Sequence, residues 1–322
     1  MNSQKEKRAI KYLQAFEPIS EPYYLCYSGG KDSDAIRILA ALAGVKHSIN
    51  HNLTTVDAPE TVRYVMQIPG VKIHKNGTMW ALIVKKGMPP TRLARYCCEE
   101  LKEHGGTGQV KITGVRWAES NSRAANGGLV KVLGKPNAVQ KVAQDVGADY
   151  RTSPKGGIIL NDDNDPARRF VERCYRTTST MVNPIIDWTD EDVWSFLHHY
   201  GCESNPLYKC GEKRIGCIGC PMQGTSGMKR DFQRYPKYKN LYEIAFGKML
   251  DARKSRGLKS DAGWNSAKDV MTWWLGGDIN QLSIGDEEYG VRESRREEAW
   301  SEYHDSDTAG NQEEQPANMP ER

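Results

Sequence analysis

Apolar and polar positions alternate between two periods along this chain. Residues 1–20 repeat their apolar positions at helical spacing, which predicts one amphipathic helix. A short aromatic and apolar run, Tyr23-Tyr24-Leu25-Cys26, predicts a strand. Beyond two glycines, Ala35, Ile36, Ile38, Leu39 and Leu42 recur with helical period until Gly44. The pattern then predicts a strand in 45–56, a helix over 58–66, a strand at 71–74 and a helix over 79–84. A further helix over 92–103 ends at Gly105-Gly106, and 110–115 alternates as a strand. Strands alternating in this way with helices predict an α/β fold, a parallel twisted sheet with helices on both faces. In such sheets ligands bind beyond the carboxyl ends of the strands. The Ser28–Gly29–Gly30–Lys31 loop, Asp57 and Arg116 all fall at such ends.

The middle of the chain is less regular. Gly127-Gly128, Gly156-Gly157 and the polar run at 161–165 predict an excursion from the sheet over 124–180. Order returns with Thr189-Asp190-Glu191-Asp192, a capping box that opens a helix running to Tyr200. The expected organisation is a nucleotide-binding α/β domain over 1–223 with an inserted lobe at 124–180. A helical C-terminal part over 224–285 and an acidic, flexible tail over 286–322 follow. Trp264, Trp273 and Trp274 lie in the helical part, where they serve packing or stack on bases.

Charge sharpens this picture. The formal net charge of the 322 residues is +4. Residues 286–322 hold twelve acidic and four basic side chains, a net of −8, so the remainder carries +12. A basic body suits a polyanion, either a nucleotide or a nucleic acid. No apolar run approaches the length of a membrane span, and the first residues are charged and amphipathic, so the expected compartment is the cytoplasm. Eight cysteines in that compartment favour metal or catalytic thiols over disulfides. Oligomeric state leaves no trace in the pattern.

The candidate chemistry begins at Ser28-Gly29-Gly30-Lys31-Asp32-Ser33. Glycines let backbone N–H groups approach an anion, and the following helix adds its positive end. Lys31 supplies a point charge, while Ser28 and Ser33 supply hydroxyls. The spacing is neither that of a Walker A loop nor that of a dinucleotide fingerprint. Arg116, past a strand end, can grip phosphate or sulfate with its guanidinium fork. Glu119 is spaced to orient Arg116 or Arg123. Asp57 can accept a ribose hydroxyl or hold Mg²⁺. A second constellation pairs Cys97-Cys98 with Cys217-x-x-Cys220. Adjacent helical residues diverge by about 100°, which suits neighbouring irons of a cluster better than one tetrahedral ion. The candidates are an iron–sulfur cluster, a structural zinc and a redox dithiol. Cys174 and Cys210 stand in reserve as ligands, Cys202 has no evident partner, and Cys26 reads as a small core residue.

The S-G-G-K-D-S loop resembles the PP-loop of the adenine nucleotide α-hydrolase-like superfamily. Residues 54–61 (TTVDAPET), 95–102 (RYCCEELK), 113–123 (TGVRWAESNSR), 183–194 (NPIIDWTDEDVW) and 205–221 (NPLYKCGEKRIGCIGCP) narrow the resemblance. Together they make the chain similar to the phosphoadenosine phosphosulfate (PAPS) reductase family, iron–sulfur branch. The resemblance implies an ATP, APS or PAPS site with Lys102, Arg116 and Arg123 facing the anionic end of the nucleotide. It also implies a [4Fe–4S] cluster on Cys97, Cys98, Cys217 and Cys220. Reductases of the family attack sulfur with a cysteine in a C-terminal tail, whereas no cysteine follows Cys220 in this sequence.

The leading expectation is therefore an ATP pyrophosphatase that adenylates an acceptor, with Lys31, Asp32 and Arg116 as catalytic residues. The nucleotide would lie on residues 28–33, Asp57, Lys102, Arg116 and Arg123, and Mg²⁺ would neutralise the leaving pyrophosphate. The acceptor would be a nucleic acid or a sulfur-donor protein. Two further expectations are a sulfite-releasing PAPS/APS reductase and a non-catalytic, redox-sensing module that binds nucleotide or nucleic acid.

Overall fold

Strand β1 (Tyr23–Cys26) lies at the centre of an eight-stranded sheet and positions everything that follows. The computed structural model describes residues 3–103, 105–258 and 263–277. They divide into two compact units, one formed by residues up to 76 with 98–217, the other by 77–97 with the residues from 218 onward.

The first unit opens with α1 (Ser3–Ala15), then β1, α2 (Lys31–Leu42), β2 (His47–Leu53), α3 (Pro59–Met66) and β3 (Val71–Lys75). β1 and β2 pair in parallel, as do β2 and β3. On the other side of β1 runs β4 (Val110–Ile112), also parallel. The chain thus winds outward from β1 to β3 and then restarts at β4, which makes the β1/β4 boundary a switch point with a crevice at its carboxyl end. Adjacent residues of a strand point to opposite faces, and Tyr23, Tyr24 and Leu25 are all buried, so the sheet is covered on both faces.

The segment expected to leave the sheet in fact extends it. β5 (Val130–Leu133), β6 (Arg151–Thr152), β7 (Ile158–Leu160) and β8 (Ser179–Val182) complete the strand order β3-β2-β1-β4-β8-β5-β7-β6. β8 joins β4 in parallel, whereas β5, β7 and β6 are antiparallel to their neighbours. The helices α6 (Asn121–Asn126), α7 (Pro136–Asp145) and α8 (Asp165–Cys174) connect these strands. All three residues of β7 are buried, so a run of only three apolar residues is a core strand here, too short to reveal a period. The predicted helix over 92–103 shortens to α5 (Tyr96–Leu101), and α9 (Asp190–His199) begins on the expected Thr189 cap.

In the second unit α4 (Met79–Lys86) packs on α11 (Pro236–Ser255), accompanied by α10 (Gly224–Arg234) and α12 (Ala267–Trp274). Its core is aromatic. Trp274 stands edge-on to Phe246 at 5.4 Å and tilted against Tyr242 at 4.8 Å. Its indole N–H donates to the Pro90 carbonyl at 2.6 Å. Packing therefore accounts for Trp274, while Trp264 and Trp273 meet edge to face at 5.0 Å. The expected tail at 286–322 lies outside the described residues. None of the described helices is long and apolar enough to cross a membrane.

Trp274→Ala removes a buried ring and strands the Pro90 carbonyl. It should destabilise the second unit by about 3–5 kcal/mol, the usual range for a deleted core aromatic. Denaturant unfolding followed by tryptophan fluorescence measures it, and a loss below about 1 kcal/mol would contradict this core.

Candidate functional site

The site is built where the carboxyl ends of β1 and β4 meet the start of α2. Gly29 has φ of +74°, and a Cβ there would meet Val65 Cγ2 at 2.8 Å. The loop therefore needs glycine for both conformation and space. Ser33 ties the loop to itself, since its Oγ accepts the Gly30 N–H at 3.1 Å and donates to the Gly30 carbonyl at 2.7 Å. Ser28 Oγ lies 3.3 Å from Ser33 Oγ. Gly114, just past β4, lets that chain approach α2. A Cβ at this position would meet the Asp32 backbone oxygen at 3.0 Å.

Lys31, Asp32 and Arg116 come together in one ionic cluster, with Asp190 as a fourth member. Arg116 is 2 % exposed. Its Nε lies 2.8 Å from Asp32 Oδ1, its Nη2 2.5 Å from Asp190 Oδ1, and its Nη1 donates to the Trp188 carbonyl at 3.2 Å. All three guanidinium nitrogens thus meet protein acceptors. Lys31 Nζ stands 3.6 Å from both Asp32 Oδ2 and Asp190 Oδ1. Burial works against the Arg116 charge, but the two carboxylates outweigh it and hold the guanidinium above its ordinary range. Glu119 joins the two predicted arginines. Its Oε2 accepts the Arg116 N–H at 3.1 Å and pairs with Arg123 Nε at 3.2 Å.

Asp57 and Lys102 form a second cluster with Cys217. Asp57 Oδ2 accepts the Thr54 N–H at 2.7 Å, and Asp57 forms an isolated β-bridge with Cys217. Thr55, inside this turn, has φ of +64°, a strained value for a β-branched residue. Cys217 Sγ lies 3.5 Å from Thr54 Oγ1. Cys217 and Asp57 beside the Lys102 ammonium raise its pKa by more than burial lowers it.

Of the four cysteines matched to a cluster, Cys98 and Cys217 belong to the first unit, and Cys97 and Cys220 to the second. Cys220 follows a local anchor, the Gly219 N–H donating to the Asp231 carboxylate at 2.7 Å. Among the described residues no group of three or more His, Cys, Asp and Glu side chains is arranged to hold a metal ion.

Sequence reasoning missed four residues at the site. Asp190 read only as a helix cap. Asn205 and Tyr208 stood in a quoted motif without roles. Asn205 is fully buried, and its Nδ2 donates to the Gly29 carbonyl and to Thr61 Oγ1, both at 3.0 Å. Tyr208 Oη accepts the Lys31 N–H at 2.9 Å. His51 Nδ1 faces the Tyr27 carbonyl at 3.0 Å, so Nδ1 carries the proton. Its buried Nε2 has no hydrogen-bond partner among the described residues. Burial lowers the His51 pKa, which leaves Nε2 an acceptor.

The phosphoadenosine phosphosulfate reductase domain model matches residues 22–223. An uncharacterised protein of Methanocaldococcus jannaschii is 26 % identical over 272 residues, covering 80 % of this chain and 54 % of its own length. A second from the same organism is 24 % identical over 254 residues, covering 74 % of this chain and 44 % of its own length. The chain thus spans about half the length of these relatives. The adenosine 5'-phosphosulfate reductase of Bacillus thuringiensis is 34 % identical over 64 residues, 20 % of this chain and 27 % of that enzyme. Among solved structures, the PAPS reductase of Candida auris aligns with a TM-score of 0.39 at 14 % identity, covering 67 % of this chain and 93 % of that one.

Beneath the loop, Asp34 is fully buried and accepts from Tyr27 Oη at 2.6 Å and Tyr64 Oη at 3.0 Å. Burial raises its pKa from 3.8 to about 6, more than the two hydroxyls and Arg37 lower it. Below the unfolded value both states hold the proton. Between 3.8 and about 6 only the folded state does, so Asp34 makes stability fall as pH rises through that window, by up to about 3 kcal/mol. Above it the contribution is flat. Asp34→Asn should remove this fall, and chemical denaturation of both proteins from pH 4 to 7 measures it. Parallel wild-type and variant profiles would contradict the assignment.

Proposed function

The chain belongs to the phosphoadenosine phosphosulfate reductase domain family, and from that premise we propose that it acts on an adenine nucleotide in sulfur-related chemistry. The phosphate chain lies over residues 28–33. The observation that carries this reading is the state of Lys31. The residue is 6 % exposed at the start of α2, yet its carboxylate neighbours stand at 3.6 Å, beyond direct hydrogen-bond reach. A buried ammonium held loosely at a helix N-terminus and a glycine loop is poised for an anion.

The reaction we put first is adenylation. An acceptor oxygen attacks the α-phosphorus of ATP, a new P–O bond forms, the bond to the bridging oxygen breaks, and pyrophosphate leaves with the electron pair. Lys31 stabilises the charge developing on the phosphate oxygens, while Asp32 and Arg116 hold Lys31 and the loop in place. Arg123, half-exposed and paired with Glu119, is the more accessible arginine for the anionic end. Thiol chemistry has less support. Burial pushes Cys26 and Cys174 up to about 11 and raises Cys202, which leaves them as weak nucleophiles near neutrality. Sulfite release from APS or PAPS is the second reading, favoured by the 64-residue stretch shared with an APS reductase.

The acceptor is a polyanion or a partner protein in this reading. Lys131, Lys155 and Arg151 lie close enough that, after burial, the other two cations lower the Lys131 pKa further. Clustered positive charge of this kind suits a phosphate backbone. Magnesium, arriving with ATP, would neutralise the leaving pyrophosphate. The cluster on Cys97, Cys98, Cys217 and Cys220 stays a separate proposal that no step above uses. Iron and acid-labile sulfide should be retained on anaerobic purification and lost in Cys217→Ser; zinc, or no metal, in the wild type would refute it.

Pyrophosphate release from ATP, with DNA, RNA or sulfate as acceptor, tests the main reading. Lys31→Ala should lower it by roughly 100-fold or more while the melting temperature stays near wild type. Sulfite from APS or PAPS without pyrophosphate release from ATP would reverse the order of the two readings. Tight nucleotide binding without either product would leave a binding module.

A further inference from the structure

We infer that the Tyr208 hydroxyl is a phosphate-binding group, one that carries the positive end of α2 outward to the nucleotide's phosphate chain. The inference deepens the nucleotide reading above and rests on it. The Lys31 N–H, the first of α2, donates to Tyr208 Oη at 2.9 Å. That bond engages a lone pair of the hydroxyl and leaves the phenolic proton without an acceptor among the described residues. Burial raises the phenol pKa, so the proton remains available for donation. The hydroxyl also fills the room over Gly30, where a Cβ would lie 3.2 Å from Oη. With Tyr208 in place, a phosphate meets the hydroxyl instead of the Lys31 N–H. A hydroxyl that accepts from a helix-terminal N–H is polarised and becomes the stronger donor.

A second donor stands beside it. Lys31 Nζ lies 6.0 Å from the centre of the Tyr208 ring, and its own carboxylate contacts are long. One neutral and one charged donor thus converge on the loop. Tyr208 is not free to swing away. Asn205 Oδ1 accepts the Leu207 N–H at 3.1 Å while Nδ2 holds the Gly29 carbonyl, and the Tyr208 ring packs edge-on to Trp194 at 5.0 Å. Asn205-Pro206-Leu207-Tyr208 is a clasp whose two ends grip a carbonyl and an N–H of the same loop. A rigid hydroxyl in this position is a constituent of the anion site, whereas a mobile one would be a plug that phosphate must evict.

Titration calorimetry of the full chain and its Tyr208→Phe variant, with pyrophosphate, ATP and adenosine as probes, separates these cases. The variant should bind pyrophosphate and ATP about tenfold more weakly, the loss expected for one hydrogen bond to a charged group. Adenosine binding and the melting temperature should not change. Equal pyrophosphate binding overturns the inference, and tighter binding overturns it in favour of the plug. A matching loss for adenosine also overturns it, because it reports a disturbed loop. Wild-type protein that binds neither ATP nor pyrophosphate sinks the nucleotide reading together with this one. Wild-type binding that survives unchanged in the variant sinks this one alone.

Discussion

The buried Arg116 guanidinium is the constraint on which the candidate site depends. It follows β4 and reaches Asp32 at the start of α2, Asp190 at the start of α9 and the Trp188 carbonyl before α9. One side chain therefore ties together the connections after three parallel strands, β1, β4 and β8. A guanidinium removed from water must be paired, and loss of its carboxylate partners would leave the Arg116 charge buried and uncompensated, whereas Asp190 itself stays largely exposed to water. The value of the arrangement lies in position more than in net stability. Replacing the cluster with apolar side chains would leave α2 and α9 free to settle elsewhere.

The cluster also sets the electrostatics of the loop. Two cations, Lys31 and Arg116, balance two carboxylates, Asp32 and Asp190, so the group is close to neutral without a ligand. Asp32 spends one oxygen on Arg116 at 2.8 Å and offers the other to Lys31 at 3.6 Å. The short bond fixes the frame, while the long one leaves the Lys31 ammonium able to turn toward an anion without first breaking a tight ion pair. The Asn205–Tyr208 clasp holds the opposite side of the loop through neutral bonds. Charged bonds on one side and neutral bonds on the other keep the loop geometry fixed as its charge changes, which is the preorganisation that phosphate chemistry requires.

Much of this was legible in the sequence because it rests on local rules. Glycine at 29, a strand before it and a helical period after it specify the loop, and alternating strands and helices specify the parallel half of the sheet. Lys31, Asp32 and Arg116 were singled out, although Arg116 turned out to be enclosed by carboxylates. The antiparallel half was not legible. β5 and β7 are four and three residues long, below the length at which alternation shows, and their identity as strands comes from pairing with β8 and with each other. Asn205 and Tyr208 lie about 175 residues from the loop they hold, at separations of 176 and 177 in the chain. Nothing local marks such a contact. The signal available was composition: an Asn-Pro turn with a tyrosine two residues on, in a polar segment that buries little else.

The second cluster shows how one residue type is read differently by sequence and by surroundings. Spacing makes Cys217 a metal ligand, because Cys-x-x-Cys can grip one centre. Its neighbours make it a thiol in a polar nest, with Thr54 Oγ1 at 3.5 Å, the Asp57 carboxylate at 4.0 Å and the Lys102 ammonium against it. An ammonium favours thiolate over thiol, whereas burial, the larger effect here, favours the thiol. A bound cation would reverse that balance and repel the Lys102 ammonium. Lys102 is therefore part of the electrostatic setting of the thiol. The strained Thr55 sits between Thr54 and Asp57. A φ of +64° is a strained value for a β-branched residue, held here by the turn in which Asp57 accepts the Thr54 N–H.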